Sequence, residues 1–260
     1  MRGLVLGIAA LALASGPVAA KMVEQKVAYE VDGKKFEGVL IYDDGVKAKR
    51  PAVLMAPDWM GVSAQSLSQA KLVAGKRYVI FVADMYGADI RPKNPQEAGP
   101  AAGAVRNNVS ATRARINKAL DAFLAEANKK GVIDATKTAA IGFCFGGGNV
   151  LELARGGRDI DAVVTFHGEL TTSAVSTPGT IKPRILVLHG ADDPFVQKEA
   201  RDKFEAEMKA AKADYNIVAF GGAVHSFTSP GANQPGRNMY NAKVAKLSYD
   251  MMRDFLAQSF

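Results

Sequence analysis

Eight short apolar runs recur along the chain: "VAYEV", "FEGVLIY", "AVLMAP", "YVIFVAD", "TAAIGF", "AVVTFHG", "RILVLHG" and "YNIVAF". After the third, helix-length segments separate them. Strand-length runs alternating with helical stretches predict an α/β chain, with a mostly parallel sheet and helices on both faces. The first two runs differ, because they flank "VDGKK", whose Asp32-Gly33 pair predicts a tight turn and an antiparallel N-terminal hairpin at one sheet edge. Ile116, Leu120, Phe123 and Leu124 recur at helical spacing and predict a helix over 109–128. Phe204 and Met208 mark another over 198–211, and Val244, Leu247, Met251 and Phe255 form one stripe of a last helix over 240–258. These stripes are read as core faces. No linker, repeat or low-complexity segment divides residues 21–260, which are read as one domain.

The first twenty residues, "MRGLVLGIAALALASGPVAA", stand apart. One basic residue, an apolar run ending near Leu13 and small residues closing at Ala20 have the form of a signal peptide cut after Ala20. The run is shorter than the roughly 20 apolar residues of a spanning helix, and no later stretch reaches that length. The expectation is a periplasmic or secreted protein with no stable membrane span after cleavage. Cleavage removes only Arg2 from the charge count, so 32 basic against 26 acidic residues leave +6. The charges are dispersed, without the clustered Lys/Arg face of a nucleic-acid binder. They favour solubility and anionic small molecules. The sequence carries no signature of an oligomeric state.

Cys144 is the only cysteine, and it lies in "KTAAIGFCFGGGNV". An exported chain with one cysteine forms no internal disulfide, so its thiol is either a small buried side chain or a reactive group. The surroundings favour the second reading. A buried strand, a Gly-x-Cys-x-Gly turn and a following helical segment, "GNVLELAR", have the form of a nucleophile elbow. Such a turn strains the nucleophile's backbone, and glycines at Gly142 and Gly146 make room where a Cβ would collide. A helix N-terminus favours thiolate, whereas burial beside Phe143 and Phe145 acts in the opposite direction.

A thiol nucleophile needs a base, and the chain has three histidines. In elbow-bearing folds the order is nucleophile, acid, histidine. Asp193 in "HGADDPFV" follows one strand, and His225 in "AFGGAVHSF" follows the next. His189 precedes the acid and is read as structural. His167 ends a strand and is given a packing or substrate-side role. Asp192 is read as a solvated turn residue, with Asp193 preferred for its spacing to Val196. Three strand ends on one side of a parallel sheet converge where ligands bind in open α/β folds. An oxyanion needs two N–H donors, one from Phe145 after the nucleophile and one from the early loop "AVLMAPDWMGV", where Trp59 is the candidate. The Trp59 indole either lines the pocket or packs.

Gly-Phe-Cys-Phe-Gly-Gly, "HGADDPFV" and "HSF", together with "APDWMGV" and "VADMYG", resemble the dienelactone hydrolase family, a cysteine-nucleophile branch of the α/β-hydrolases. The resemblance runs from about Val27 to the C-terminus. It implies a Cys144–His225–Asp193 triad that cleaves small-molecule esters or lactones through an acyl-enzyme, with no cofactor and no metal. It implies that Asp58, where the family has a glutamate, contacts the resting thiol. It also implies a substrate contact at Arg91, near the first of two family arginines, while the second position is the uncharged Ser229.

Two rival classes are weighed against this hydrolase. A ligand-binding module that keeps the pocket without efficient chemistry is suggested by Asp58 and Ser229. A thiol redox protein lacks a resolving cysteine. No helix carries a His-x-x-x-His pair for a hydrolytic metal.

Overall fold

The computed structural model describes residues 21–260; the leader-like segment 1–20 lies outside the described residues. The chain opens with β1 (Met22–Val31) and β2 (Lys34–Asp43), paired antiparallel with Val31 opposite Lys34. Asp32 and Gly33 both have positive φ, 49° and 75°, as a two-residue turn compatible with strand twist requires. There follow β3 (Arg50–Ala56), α1 (Ala64–Ala74), β4 (Val79–Val82), α2 (Pro95–Arg106), α3 (Val109–Lys129), β5 (Ile133–Phe143) and α4 (Phe145–Arg155). The second half adds β6 (Ala162–Phe166), β7 (Arg184–Gly190), α5 (Lys198–Ala211), β8 (Tyr215–Phe220), a small hairpin of β9 (Asn233–Gln234) and β10 (Asn238–Met239), and α6 (Ala242–Ser259).

The main sheet has the order β1-β2-β4-β3-β5-β6-β7-β8. Pairing is antiparallel from β1 through β2 to β4 and parallel from β4 onward. All eight apolar runs are strands of it. Their continuous apolar character follows from burial on both faces: in β3, Leu54 and Ala56 join the core beneath α3 and α4, whereas Val53 and Met55 join the core beneath α1 and α6. This is the α/β-hydrolase fold, and it has an antiparallel hairpin at its edge.

The helices keep their expected spans to within a residue or two, and α1, α2, α3 and α6 each begin with a side-chain cap. Asn108 and Asn241 accept from the amides of Ala111 and Val244 through their side chains, and Ser63 and Ser66 form a reciprocal capping box on α1. One expected core position moves. Leu247 is 43% exposed, because the buried face of α6 runs through Ala245, Ser248, Met252 and Leu256, one residue round from the stripe read in the sequence. No helix among the described residues is long and apolar enough to cross a membrane.

Candidate active site

The parallel strands β5, β7 and β8 end on one side of the sheet, and each releases one polar side chain there. Cys144 follows β5 with φ 53° and ψ −118°, a backbone strain of about 1–3 kcal/mol held in place by its surroundings. Its amide donates to Phe166 O at 3.0 Å and its carbonyl accepts from Gly147 N at the same distance. The flanking glycines are required sterically. A Cβ on Gly142 would collide with the Gly146 carbonyl, and one on Gly146 with the carbonyls of Ala56 and Pro57. The turn therefore presses the start of α4 against the end of β3, and this contact brings the β3 loop beside the thiol.

Asp193 follows β7 and is 3% exposed. One carboxylate oxygen, Oδ1, accepts from the amides of Phe195 (2.8 Å) and Val196 (3.3 Å); the other, Oδ2, lies 2.7 Å from His225 Nδ1. His225 Nε2 lies 3.0 Å from Cys144 Sγ. The chain of contacts runs unbroken from carboxylate through imidazole to sulfur. Burial opposes charge on both partners, yet hydrogen bonding reverses it. Bonds to Asp193 and Cys144 overcome the desolvation of His225 and push it up to about 10, while the His225 bond and the Phe195 amide overcome burial and hold Asp193 below the usual carboxylate range. The imidazole ring is fixed edgewise by Phe195 and by His167, each with centroids 5.2 Å away. The β9–β10 hairpin fixes its backbone, since Met239 N donates to His225 O at 3.1 Å.

His167 has the expected packing role: it is 1% exposed, with Nε2 2.8 Å from Thr228 Oγ1. Burial pushes its imidazole well below the usual histidine range. His189 is likewise buried, and Asp192 is exposed, accepting from Gly222 N at 3.1 Å.

The amides of Trp59, in the β3 loop, and Phe145, at the start of α4, have no acceptor among the described residues, and both residues line one cavity with Cys144. Tyr86, which sequence reasoning did not single out, joins them. Its hydroxyl donates to Trp59 O at 2.7 Å, and its ring stacks on Phe145 at 5.6 Å. The signal was the tyrosine of "VADMYG", a segment recognised only as part of a resemblance. Tyr86→Phe removes the tie to the Trp59 loop but keeps the stack. It is expected to lower kcat roughly tenfold with little change in KM, as loosening of one oxyanion donor does. A change confined to KM in steady-state assays contradicts that reading.

Two sequence expectations are corrected by the geometry. Asp58 makes no hydrogen bond to the thiol; its Oδ1 accepts from Met60 N at 2.9 Å and its carbonyl from Gly61 N at 2.9 Å, so the shorter side chain closes its own turn. Burial raises its carboxyl, against the opposing pull of the Met60 amide and the His225 charge. Arg91 does not face substrate space. Its guanidinium bonds Asp84 Oδ2 (3.1 Å) and the carbonyls of Gly87 (2.6 Å), Ile90 (2.9 Å) and Glu37 (3.1 Å), and so braces the segment that carries Tyr86.

The thiol and imidazole open into a cavity of about 630 Å³, whose walls include Trp59, Phe145 and Phe195. Trp59 lies on this wall and is 37% exposed as a residue. The guanidinium groups here are those of Arg106 and Arg237, the latter 5.4 Å over the Phe195 ring, and Glu169 supplies a carboxylate. None was identifiable from the sequence, because α2, the segment after β6 and the β9–β10 hairpin meet only in the folded chain.

The family model described as "Dienelactone hydrolase family" matches residues 36–260. The chain belongs to the dienelactone hydrolase family. Among solved structures, one named "m3DLH" is 34% identical, with a TM-score of 0.83, and the match covers 92% of this chain and 99% of that one. A second, named as a dienelactone hydrolase-like promiscuous phosphotriesterase from metagenomic libraries, is 33% identical with a TM-score of 0.82 and the same coverage. A Saccharolobus solfataricus protein provisionally named as a carboxymethylenebutenolidase is 30% identical over 120 residues, 46% of this chain and 44% of its own. As a dienelactone hydrolase family member the chain is a hydrolase acting on small-molecule esters or lactones.

Proposed function

We propose that this dienelactone hydrolase family member cleaves carboxylic esters or lactones through a thioester on Cys144, and that it does so outside the cytoplasm. The observation that carries the reading is the 3.0 Å approach of His225 Nε2 to Sγ, with Asp193 2.7 Å behind Nδ1. Nε2 takes the proton of Sγ, and sulfur attacks the carbonyl carbon. The oxyanion accepts from the Trp59 and Phe145 amides. Collapse breaks the C–O bond, and the leaving oxygen takes the proton from Nε2. In a lactone that oxygen stays attached through the opened ring. Water then adds to the thioester, giving its proton to Nε2, and release of the acid returns a proton to sulfur. Asp193 holds the ring's Nδ1–H and the positive charge that forms.

Turnover of a panel of p-nitrophenyl esters and enol lactones against pH tests this reading. A His225 pKa of about 10 means that at neutral pH the imidazole keeps the proton it has taken from Sγ, holds it for the leaving oxygen, and loses it as pH rises through about 10. The alkaline limb of kcat/KM is therefore expected near that value, and a limb near 6.5 contradicts it. Stability follows the same sign. Because the folded pKa lies above the unfolded one, the contribution of His225 is fully present below about 6.5 and is lost as pH rises through about 10. Binding of these ligands without turnover favours a binding module instead.

Export rests on the leader-like residues 1–20. Fractionation of the expressing cell is expected to yield a chain beginning at Lys21 outside the cytoplasm; a full-length cytoplasmic chain contradicts it.

A further inference from the structure

Beside the catalytic cavity lies a second one of about 420 Å³. Arg106, Phe145 and Glu169 line both. Arg106 ends α2 and Glu169 follows β6, and their side chains meet as an ion pair, Nε to Oε2, at 2.6 Å. The partition at this point is thus two side chains, 49% and 36% exposed. A pair so exposed is weak and salt-screened, and long side chains swing apart without moving backbone.

The walls of the second cavity indicate what it would hold. Its charges are already matched: Arg106 with Glu169, and Glu152 with Arg113 (2.8 Å) and Arg155 (3.1 Å). Hydrogen-bonding groups without charge line the rest, with Thr171, Thr172, Ser173 and Asn107 against the apolar Val109 and Phe145. An ionic ligand would have to break a pair, whereas a neutral, hydroxyl-bearing group would find donors and acceptors beside an apolar surface. Phe145 directly follows Cys144, so the wall that the two cavities share begins one residue from the sulfur.

We propose that the Arg106–Glu169 pair is a removable partition, and that the second cavity receives the distal, uncharged, hydroxyl-bearing end of the substrate's acyl group. The proposal rests on the ester-hydrolase reading above. It is tested with two probes, p-nitrophenyl hexanoate and the same ester bearing a glucosyl group on its terminal carbon, and the readout is the ratio of their kcat/KM values. Glu169→Gln removes the charge that holds Arg106 in the partition and is expected to raise the glucosyl-to-plain ratio about fivefold, while Ser173→Trp fills the second cavity and is expected to lower it about tenfold. Added salt should move the wild-type ratio in the Glu169→Gln direction. The plain ester, measured on the same sample, reports a variant that has failed to fold. Ratios within about twofold of wild type in both variants, with both esters turned over, overturn the partition alone. Absence of Cys144-dependent turnover of either ester by the wild type overturns the hydrolase reading and the partition with it.

Discussion

Cys144→Ala is expected to lower kcat/KM for small esters by at least about 10⁴-fold, with an unfolding midpoint close to that of wild type. The expected loss is large because the proposed nucleophile has no understudy: Cys144 is the chain's only thiol, and its Sγ is the atom facing His225 Nε2. The fold should tolerate the change. Alanine meets the same positive φ as cysteine, the residue is only partly buried, and the glycines that permit the elbow are untouched. Residual turnover from the oxyanion donors and binding alone is consistent with this account. Retention of a tenth or more of the wild-type rate, on protein shown free of wild type by mass, removes Cys144 from the chemistry.

Asp193→Asn is expected to cost about 10²–10⁴-fold in kcat, although it changes one oxygen to an amide nitrogen. The hydrogen bonds explain why so small a change is so damaging. Oδ1 accepts from the Phe195 and Val196 amides, so an asparagine keeps its oxygen there and turns its NH₂ toward His225 Nδ1. A donor facing Nδ1 forces the other tautomer, with the proton on Nε2, and Nε2 then cannot accept from Sγ. The lost negative charge also removes part of what pushes His225 up to about 10. Steady-state kinetics and a proton NMR titration of the imidazole read the two effects separately. An asparagine variant within tenfold of wild type, with the histidine pKa unmoved, contradicts the orienting role of Asp193.

The fold, and the meeting of Cys144, His225 and Asp193, were legible in the sequence because each rests on local chemistry. Buried parallel strands are continuously apolar, and the runs ending at Phe143, Gly190 and Phe220 each stop at or next to a glycine. The elbow declares itself through glycines that contact backbone, and the acid and base through their order. What was not legible depended on partners distant in sequence or on geometry finer than spacing. Arg91 was read as a substrate contact from its neighbourhood, but the buried Asp84 and three carbonyls claim its donors. Asp58 is one methylene shorter than the glutamate it was matched with, and it accepts from an amide two residues on. Leu247 shows the limit of a helical stripe, where a rotation of one residue moves an apolar side chain from core to solvent. Arg106, Glu169 and Arg237 come from separate segments, and no periodicity joins them.

The most direct test of the account is rapid mixing with p-nitrophenyl acetate, an acid quench within the first turnover, and peptide mass mapping of wild-type protein. The expected result is an acetyl group on the peptide carrying Cys144, formed with the burst of p-nitrophenol and lost at the steady-state rate. An unmodified Cys144 peptide throughout sustained turnover, or an acetyl group on another side chain that decays at the turnover rate, would contradict it.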